Sequence, residues 1–280
     1  MAIKPPYYIV SLSGGKDSTA MLLRLLKENR PVDEIIFCDT GLEFPDMYAH
    51  LDKLEEYIGR PITRIKAEHD FEYYFCHAPI KRGNLEKFRQ LFGRDFDGYG
   101  WMGPKMRWCT NRLKDQPREN YLRDLRKKYT VYQYVGIAAD EQYRLERPNN
   151  RRAECIHPLV EWGMTEADCL QYCADHGFDW NGLYKRFHRV SCWLCPLQSL
   201  EELRKLWEFY PELWEKLRRY DEMTWRNYRA DYSVKQLEIR FAFEKECLAK
   251  GLPIRNKAFF TALRQRLEVQ HEGTDARQFI

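Results

Sequence analysis

The sequence has no apolar run near the ~20 residues that a membrane-spanning helix needs, no internal repeat and no low-complexity tract. Met1 to Pro6 leads straight into a strand-like stretch without the pattern of a secretory leader, so a cytoplasmic chain with no membrane partner is expected. It also lacks a strong charge of one sign. The 46 basic and 42 acidic residues leave a net charge of +4, which excludes a polybasic tail protein and a strongly acidic one. What remains is ordinary for a globular protein: 280 residues, 44% hydrophobic and 31% charged, enough for a full core in one large domain or two small ones. Nine cysteines are many for a reducing compartment, where a disulfide framework is not expected and spacing carries the information. Only Cys192 and Cys195 form a C-x-x-C.

The first half alternates strand and helix signals. Tyr7-Tyr8-Ile9-Val10 reads as a buried strand, Ser13-Gly14-Gly15 as a turn, and Ser18 to Glu28 as a helix with Met21, Leu22, Leu25 and Leu26 on one face. Glu34 to Cys38, a helix from Asp46 to Ile58, and Ile62 to Ile65 repeat the pattern. Residues 71–106 read as loop with a helix near Leu85 to Leu91, followed by a helix from Asn111 to Lys128 that Pro117 interrupts. Tyr129 to Ile137 and Cys155 to Val160 are further strands, and Thr165 to Asp168 has the form of a capping box. An α/β fold follows: an open parallel sheet with flanking helices and a helical C-terminal part. The expected domains are 1–165, with an inserted basic and aromatic segment 71–128, and a mainly helical 166–280 that carries the C-x-x-C. Trp207, Trp214 and Trp225 mark a partner-binding face in that second part.

The stretch between the first strand and first helix is the most informative. Backbone N–H groups of a glycine-rich turn converge on oxyanions at a helix N-terminus. Ser13 and Ser18 add hydroxyl donors and Lys16 a positive charge, while Asp17 suits magnesium or a structural role. The spacing is not G-x-x-x-x-G-K-[ST]. Ser13-Gly14-Gly15-Lys16-Asp17-Ser18 resembles the SGGxDS loop of the PP-loop ATP pyrophosphatases, which cleave ATP to AMP and pyrophosphate. Cys38-Asp39-Thr40-Gly41 through Pro45 resembles a segment of the sulfonucleotide (phosphoadenosine-phosphosulfate) reductase branch of that superfamily, at the carboxyl end of the second strand, where open α/β sheets bind ligands. The resemblance covers about residues 7–200. It implies an ATP site of Ser11, Ser13, Gly14, Gly15, Lys16, Asp17, Ser18, Asp39, Thr40 and Gly41, with Mg2+ and with Lys16, Asp17, Ser18 and Asp39 taking part in catalysis.

Arg107-Trp108-Cys109-Thr110 and Cys192-Trp193-Leu194-Cys195, 83 residues apart at their first cysteines, resemble the cysteine pattern of branch members with a [4Fe–4S] cluster, among them phage proteins and the PP-loop protein of DNA phosphorothioation systems. Trp108 stands where the reductases have another cysteine. The resemblance implies three ligands, Cys109, Cys192 and Cys195, and Cys155 is the expected fourth, ahead of His188 and Cys173. Zinc is the alternative metal, since thiolates suit both. Gly136-Ile137-Ala138-Ala139-Asp140-Glu141-Gln142-Tyr143-Arg144 matches the branch's substrate segment at Gly136, Glu141 and Arg144, but Ala138 replaces an arginine. Arg107, Lys114, Gly136, Glu141 and Arg144 are therefore the expected substrate contacts.

Residues 81–130 contain 14 basic and 6 acidic residues, a net of +8, interleaved with Phe88, Phe92, Phe96, Tyr99, Trp101 and Trp108. Cations alternating with stacking surfaces suit nucleic acid or a nucleotide. The branch's nucleophilic cysteine in a Glu-Cys-Gly-x-His tail has no counterpart after Cys247. Together with Ala138 this favours ATP-dependent adenylation of an acceptor for sulfur transfer, on nucleic acid or a nucleotide, with a cysteine desulfurase or another sulfur donor as partner. The alternatives are a sulfonucleotide reductase using another cysteine, and a non-catalytic nucleotide- or nucleic-acid-binding accessory protein.

Overall fold

A computed structural model describes residues 4–79, 97–146, 154–190 and 192–269. The expected helix near Leu85 to Leu91 and the aromatic residues Phe88, Phe92 and Phe96 lie outside the described residues. Two compact units emerge: Met1–Asp70 with Cys109–Cys192, and Phe71–Trp108 with Trp193–Ile280.

The first unit is an α/β layer structure. Its strands are β1 (Pro6–Leu12), β2 (Glu34–Cys38), β3 (Thr63–Ile65), β4 (Thr130–Val135) and β5 (Cys155–Ile156). They form one parallel sheet in the order β3-β2-β1-β4-β5. The fifth strand is two residues long, not the six expected, because Pro158 opens a helical turn over Pro158–Glu161. The flanking helices are α1 (Lys16–Lys27), α2 (Pro45–Ile58) and α3 (Gln116–Arg126), each between two strands, and α4 (Glu166–Asp175) after the last strand. The expected helix over 111–128 is continuous through Pro117: a π-helical turn, Asn111–Asp115, runs straight into α3 with helical backbone at Asp115 and Gln116, and Pro117 sits in the first turn of α3.

Period-2 alternation explains how the sheet is covered. Ile9, Ile36, Ile65 and Val131 share a core cluster with Leu122 of α3. The alternate residues Val10, Ile35 and Phe37 are also buried, so both faces are covered, as a parallel sheet requires. Helix α1 packs on β1 and α4. Thr165 caps α4 by accepting a hydrogen bond from Asp168 N at 3.2 Å, and the Asp168 carboxylate accepts from Thr165 N at 2.9 Å. The sequence expectation placed a domain boundary at 165. The first unit runs on to Cys192 because α4 and the segment after it pack on α1 and α2.

The second unit is helical: α5 (Leu200–Phe209), α6 (Pro211–Met223), α7 (Val234–Ala249) and α8 (Lys257–Val269). Ser199 and Ser233 each make a capping box, which sets where α5 and α7 begin. Trp101 is fully buried, donates to Asp221 at 2.8 Å and meets Tyr228 edge-on. Trp108 is buried on Phe71 and donates to the Gly100 carbonyl at 3.0 Å. These two rings are core, not stacking surfaces for a nucleic acid. Trp207, half-buried, and Trp214, buried, each pack against Phe241. No described helix is long and apolar enough to cross a membrane.

Leu122 joins α3 to the sheet and is fully buried. Leu122→Ala is expected to cost about 2–5 kcal/mol in denaturant unfolding. A loss under about 1 kcal/mol would show that α3 is not anchored there.

Candidate functional site

In an open α/β sheet the strand order reverses at one point, and ligands bind outside the carboxyl ends of the strands there. Here the reversal lies between β1 and β4. Both strand ends carry the residues singled out in the sequence, the Ser13–Gly15 turn after β1 and Gly136 after β4.

The turn is built tightly. Gly14 has φ +78°, and a Cβ there would stand 2.6 Å from Met47 Sδ. A Cβ on Gly136 would stand 3.0 Å from Ser18 Cα and 3.1 Å from Ser18 N. Glycine at 136 therefore lets the end of β4 touch the first turn of α1. Ser18 Oγ accepts from Ser13 N at 3.1 Å and lies 3.0 Å from Ser13 Oγ. The Lys16 N–H donates to the Tyr184 hydroxyl at 2.9 Å, and the Trp180 indole N–H donates to the Gly14 carbonyl at 2.8 Å. Thr19 Oγ1 lies 3.1 Å from His50 Nε2, and His50 stacks on Trp180. Burial pushes the His50 imidazole down to about 3, so it is neutral and part of the packing under the loop.

Charge is concentrated on one lysine. Lys16 is buried, and its ammonium lies 2.7 Å from Glu166 and 3.5 Å from Asp17. Asp17 Oδ1 is buried and has no hydrogen-bond partner among the described residues. Burial raises the Asp17 carboxyl from 3.8 to about 6; Lys16 opposes this, and the charges of Glu166 and Glu141 add to it. Ser11 Oγ is a second buried oxygen with no partner among the described residues. Asp39 is engaged otherwise: it accepts from Gly41 N at 3.0 Å and Tyr48 OH at 2.8 Å, and Lys66 lies 3.5 Å away. It closes the turn after β2 as an Asx turn does, with Thr40 buried behind it.

The expected substrate residues separate. Glu141 pairs with Arg144. Ala138 is fully buried. Arg107 is exposed in the second unit. Lys114 pairs with the buried Glu43 at 3.4 Å, and Glu43 also receives the Cys192 thiol at 3.6 Å. Its closeness to Cys192 and to Glu43 raises the Lys114 ammonium above its ordinary range, against the cost of burial. Glu43 was not legible as a site residue, because its partners are distant in sequence.

Cys109, Cys155 and Cys192 belong to the first unit and Cys195 to the second. Among the described residues, no three His, Cys, Asp or Glu side chains are gathered as metal ligands. For magnesium, an ion carried by a polyphosphate needs only one or two protein carboxylates, and Asp17 is the one at the loop, its Oδ1 without a hydrogen bond among the described residues but 3.5 Å from the Lys16 ammonium.

Residues 7–198 match the model of the phosphoadenosine phosphosulfate reductase domain. The chain belongs to that family. Two uncharacterised proteins of Methanocaldococcus jannaschii are 27% and 30% identical, covering 83% and 74% of this chain. The chain spans less than half of those relatives, 43% and 45% of their length. An uncharacterised protein of Escherichia phage 186 is 28% identical, covering 75% of this chain and 74% of its own. Among solved structures, a phosphoadenylyl-sulfate reductase from Candida auris matches with a TM-score of 0.41 at 16% identity, over 69% of this chain and 83% of that one. A U34-tRNA thiolase from Methanococcus maripaludis, solved with its [4Fe-4S] cluster, matches at 0.36 and 17%, over 79% and 73%.

The raised Asp17 carboxyl has a stability consequence. Its folded value lies above its unfolded one, so its contribution is fully present below about pH 4 and is lost as pH rises through about 6. Asp17→Asn is expected to stabilise the fold at pH 7 by roughly 1–2 kcal/mol, with the gain fading below pH 4. Thermal unfolding of both proteins at the two pH values measures it, and a destabilised variant at pH 7 would contradict it.

Proposed function

We propose that this chain binds ATP at the Ser13–Ser18 loop and cleaves it between the α- and β-phosphates, leaving an adenylyl group on an acceptor destined for sulfur transfer. The observation that carries this reading is the loop itself, set at the reversal of strand order with Lys16 at its centre and Gly136 closing on Ser18. The family is named for a sulfonucleotide reductase, which supports nucleotide and sulfur chemistry for its members. The fully buried Ala138 favours ATP over a phosphosulfate nucleotide. A methyl group there makes no bidentate contact to a sulfonate, as an arginine would.

In the reaction, an acceptor oxygen attacks the α-phosphorus. The bond from that phosphorus to the bridging oxygen breaks, and pyrophosphate leaves with the electron pair. Loop N–H groups and the Lys16 ammonium neutralise charge on the departing phosphates. Magnesium, held by Asp17 when bound, would screen the same oxygens. Thr19, His50 and Trp180 keep the loop backbone aimed. The acceptor is assigned as anionic, drawn by the net +8 of residues 81–130. A nucleic acid or nucleotide meets that requirement.

Incubation with ATP labelled at the α-phosphate, with magnesium and candidate RNA or DNA acceptors, is expected to give AMP or adenylylated acceptor together with pyrophosphate. Lys16→Met is expected to lower the rate by about 100-fold or more. Release of ADP and orthophosphate instead, or no turnover with any acceptor, would overturn the proposal. Thiol-dependent release of sulfite from phosphoadenosine phosphosulfate would favour the reductase reading.

A further inference from the structure

Two side chains from one stretch of chain hold the donors that a polyphosphate would use. The Lys16 N–H opens α1 and donates to the Tyr184 hydroxyl at 2.9 Å. The Lys16 ammonium lies 2.7 Å from the Glu166 carboxylate and 5.7 Å from the centre of the Tyr184 ring. The hydroxyl crowds the loop closely enough that a Cβ on Gly15 would stand 3.2 Å from it.

The backbone that delivers Tyr184 is strained. Trp180 and Asn181 have φ of +50° and +51°, and Gly182 has +81°. Successive left-handed residues are unfavourable when two of them carry a Cβ. The turn is held from several sides. Asp179 accepts from Asn181 N at 3.1 Å, Asp46 accepts from Asn181 Nδ2 at 3.0 Å, and the Trp180 indole bonds to Gly14 O. Trp180 then meets the Tyr184 ring edge-on at 4.9 Å. Strain of this kind gathers where a segment is placed for a function.

We propose that Tyr184 and Glu166 are positioning residues of the phosphate loop that act as exchangeable surrogates for phosphate oxygens. The hydroxyl holds the Lys16 N–H, the carboxylate holds the Lys16 ammonium, and a polyphosphate binds by replacing both. This rests on the reading of the loop as a polyphosphate site. It adds a selectivity rule. A ligand must bring enough negative oxygen to reach the N–H and the ammonium together, so pyrophosphate or the tail of ATP displaces the pair and orthophosphate does not.

The test is calorimetric titration of the full chain with inorganic pyrophosphate and, separately, with orthophosphate. Tyr184→Phe removes only the competing hydroxyl and is expected to bind pyrophosphate about fivefold more tightly than the unaltered protein. Glu166→Gln removes the competing charge and is expected to tighten binding about tenfold and to bring orthophosphate into measurable range. A merely structural role for either residue would lower thermal stability without tightening anion binding. If the unaltered protein binds pyrophosphate and neither variant binds it more tightly, the inference is overturned while the polyphosphate reading stands. If neither the unaltered protein nor either variant binds pyrophosphate, the polyphosphate reading falls and takes the inference with it.

Discussion

The start of α1 lies against the end of β4 with no room for a side chain between them. Gly136 provides this, since any Cβ there would press on the Ser18 backbone. Much of the site depends on that approach. It narrows the place where the strand order reverses, and it leaves the loop after β1 to fold over the N-terminus of α1. Gly14 is under a similar constraint from Met47 of α2. The loop is thus fixed by packing with elements on several sides, not by its own sequence alone.

Electrostatics follow from that packing. A buried lysine needs countercharge, and Lys16 finds it in Glu166 and Asp17. The same burial makes ionised Asp17 costly and raises its carboxyl to about 6. A polyanion entering the loop would relieve the competition for Lys16. A cation accompanying it would relieve the repulsion among Asp17, Glu141 and Glu166. The site is therefore suited to a ligand that brings both charges, as a magnesium-bound polyphosphate does.

The sheet and the loop were legible because their signals are local. Strand runs, the Ser-Gly-Gly turn, the Thr165 capping box and the helix stripes each occupy fewer than about 15 consecutive residues, and short-range physics decides them. The partners of the loop were not legible. Trp180 and Tyr184 are more than 160 positions from it in sequence, and only the fold brings them to Gly14 and Lys16. Glu43 was missed for the same reason, since it meets Lys114 and Cys192 through tertiary packing. Aromatic residues misled where composition was read without burial. Trp101, Trp108 and Trp214 looked available for stacking or docking and are core residues. The cysteine spacing suggests a ligand set of Cys109, Cys155, Cys192 and Cys195, the first three of which lie in the first unit.

The central claim is that residues 13–18 hold the polyphosphate of a nucleotide. Amide hydrogen exchange read by mass spectrometry, with and without ATP and magnesium, tests it most directly. The account predicts slowed exchange in peptides spanning residues 11–20, with faster exchange in the 180–184 turn as Tyr184 is released. Unchanged exchange over residues 11–20 at saturating ATP, or protection confined to another segment, would contradict it.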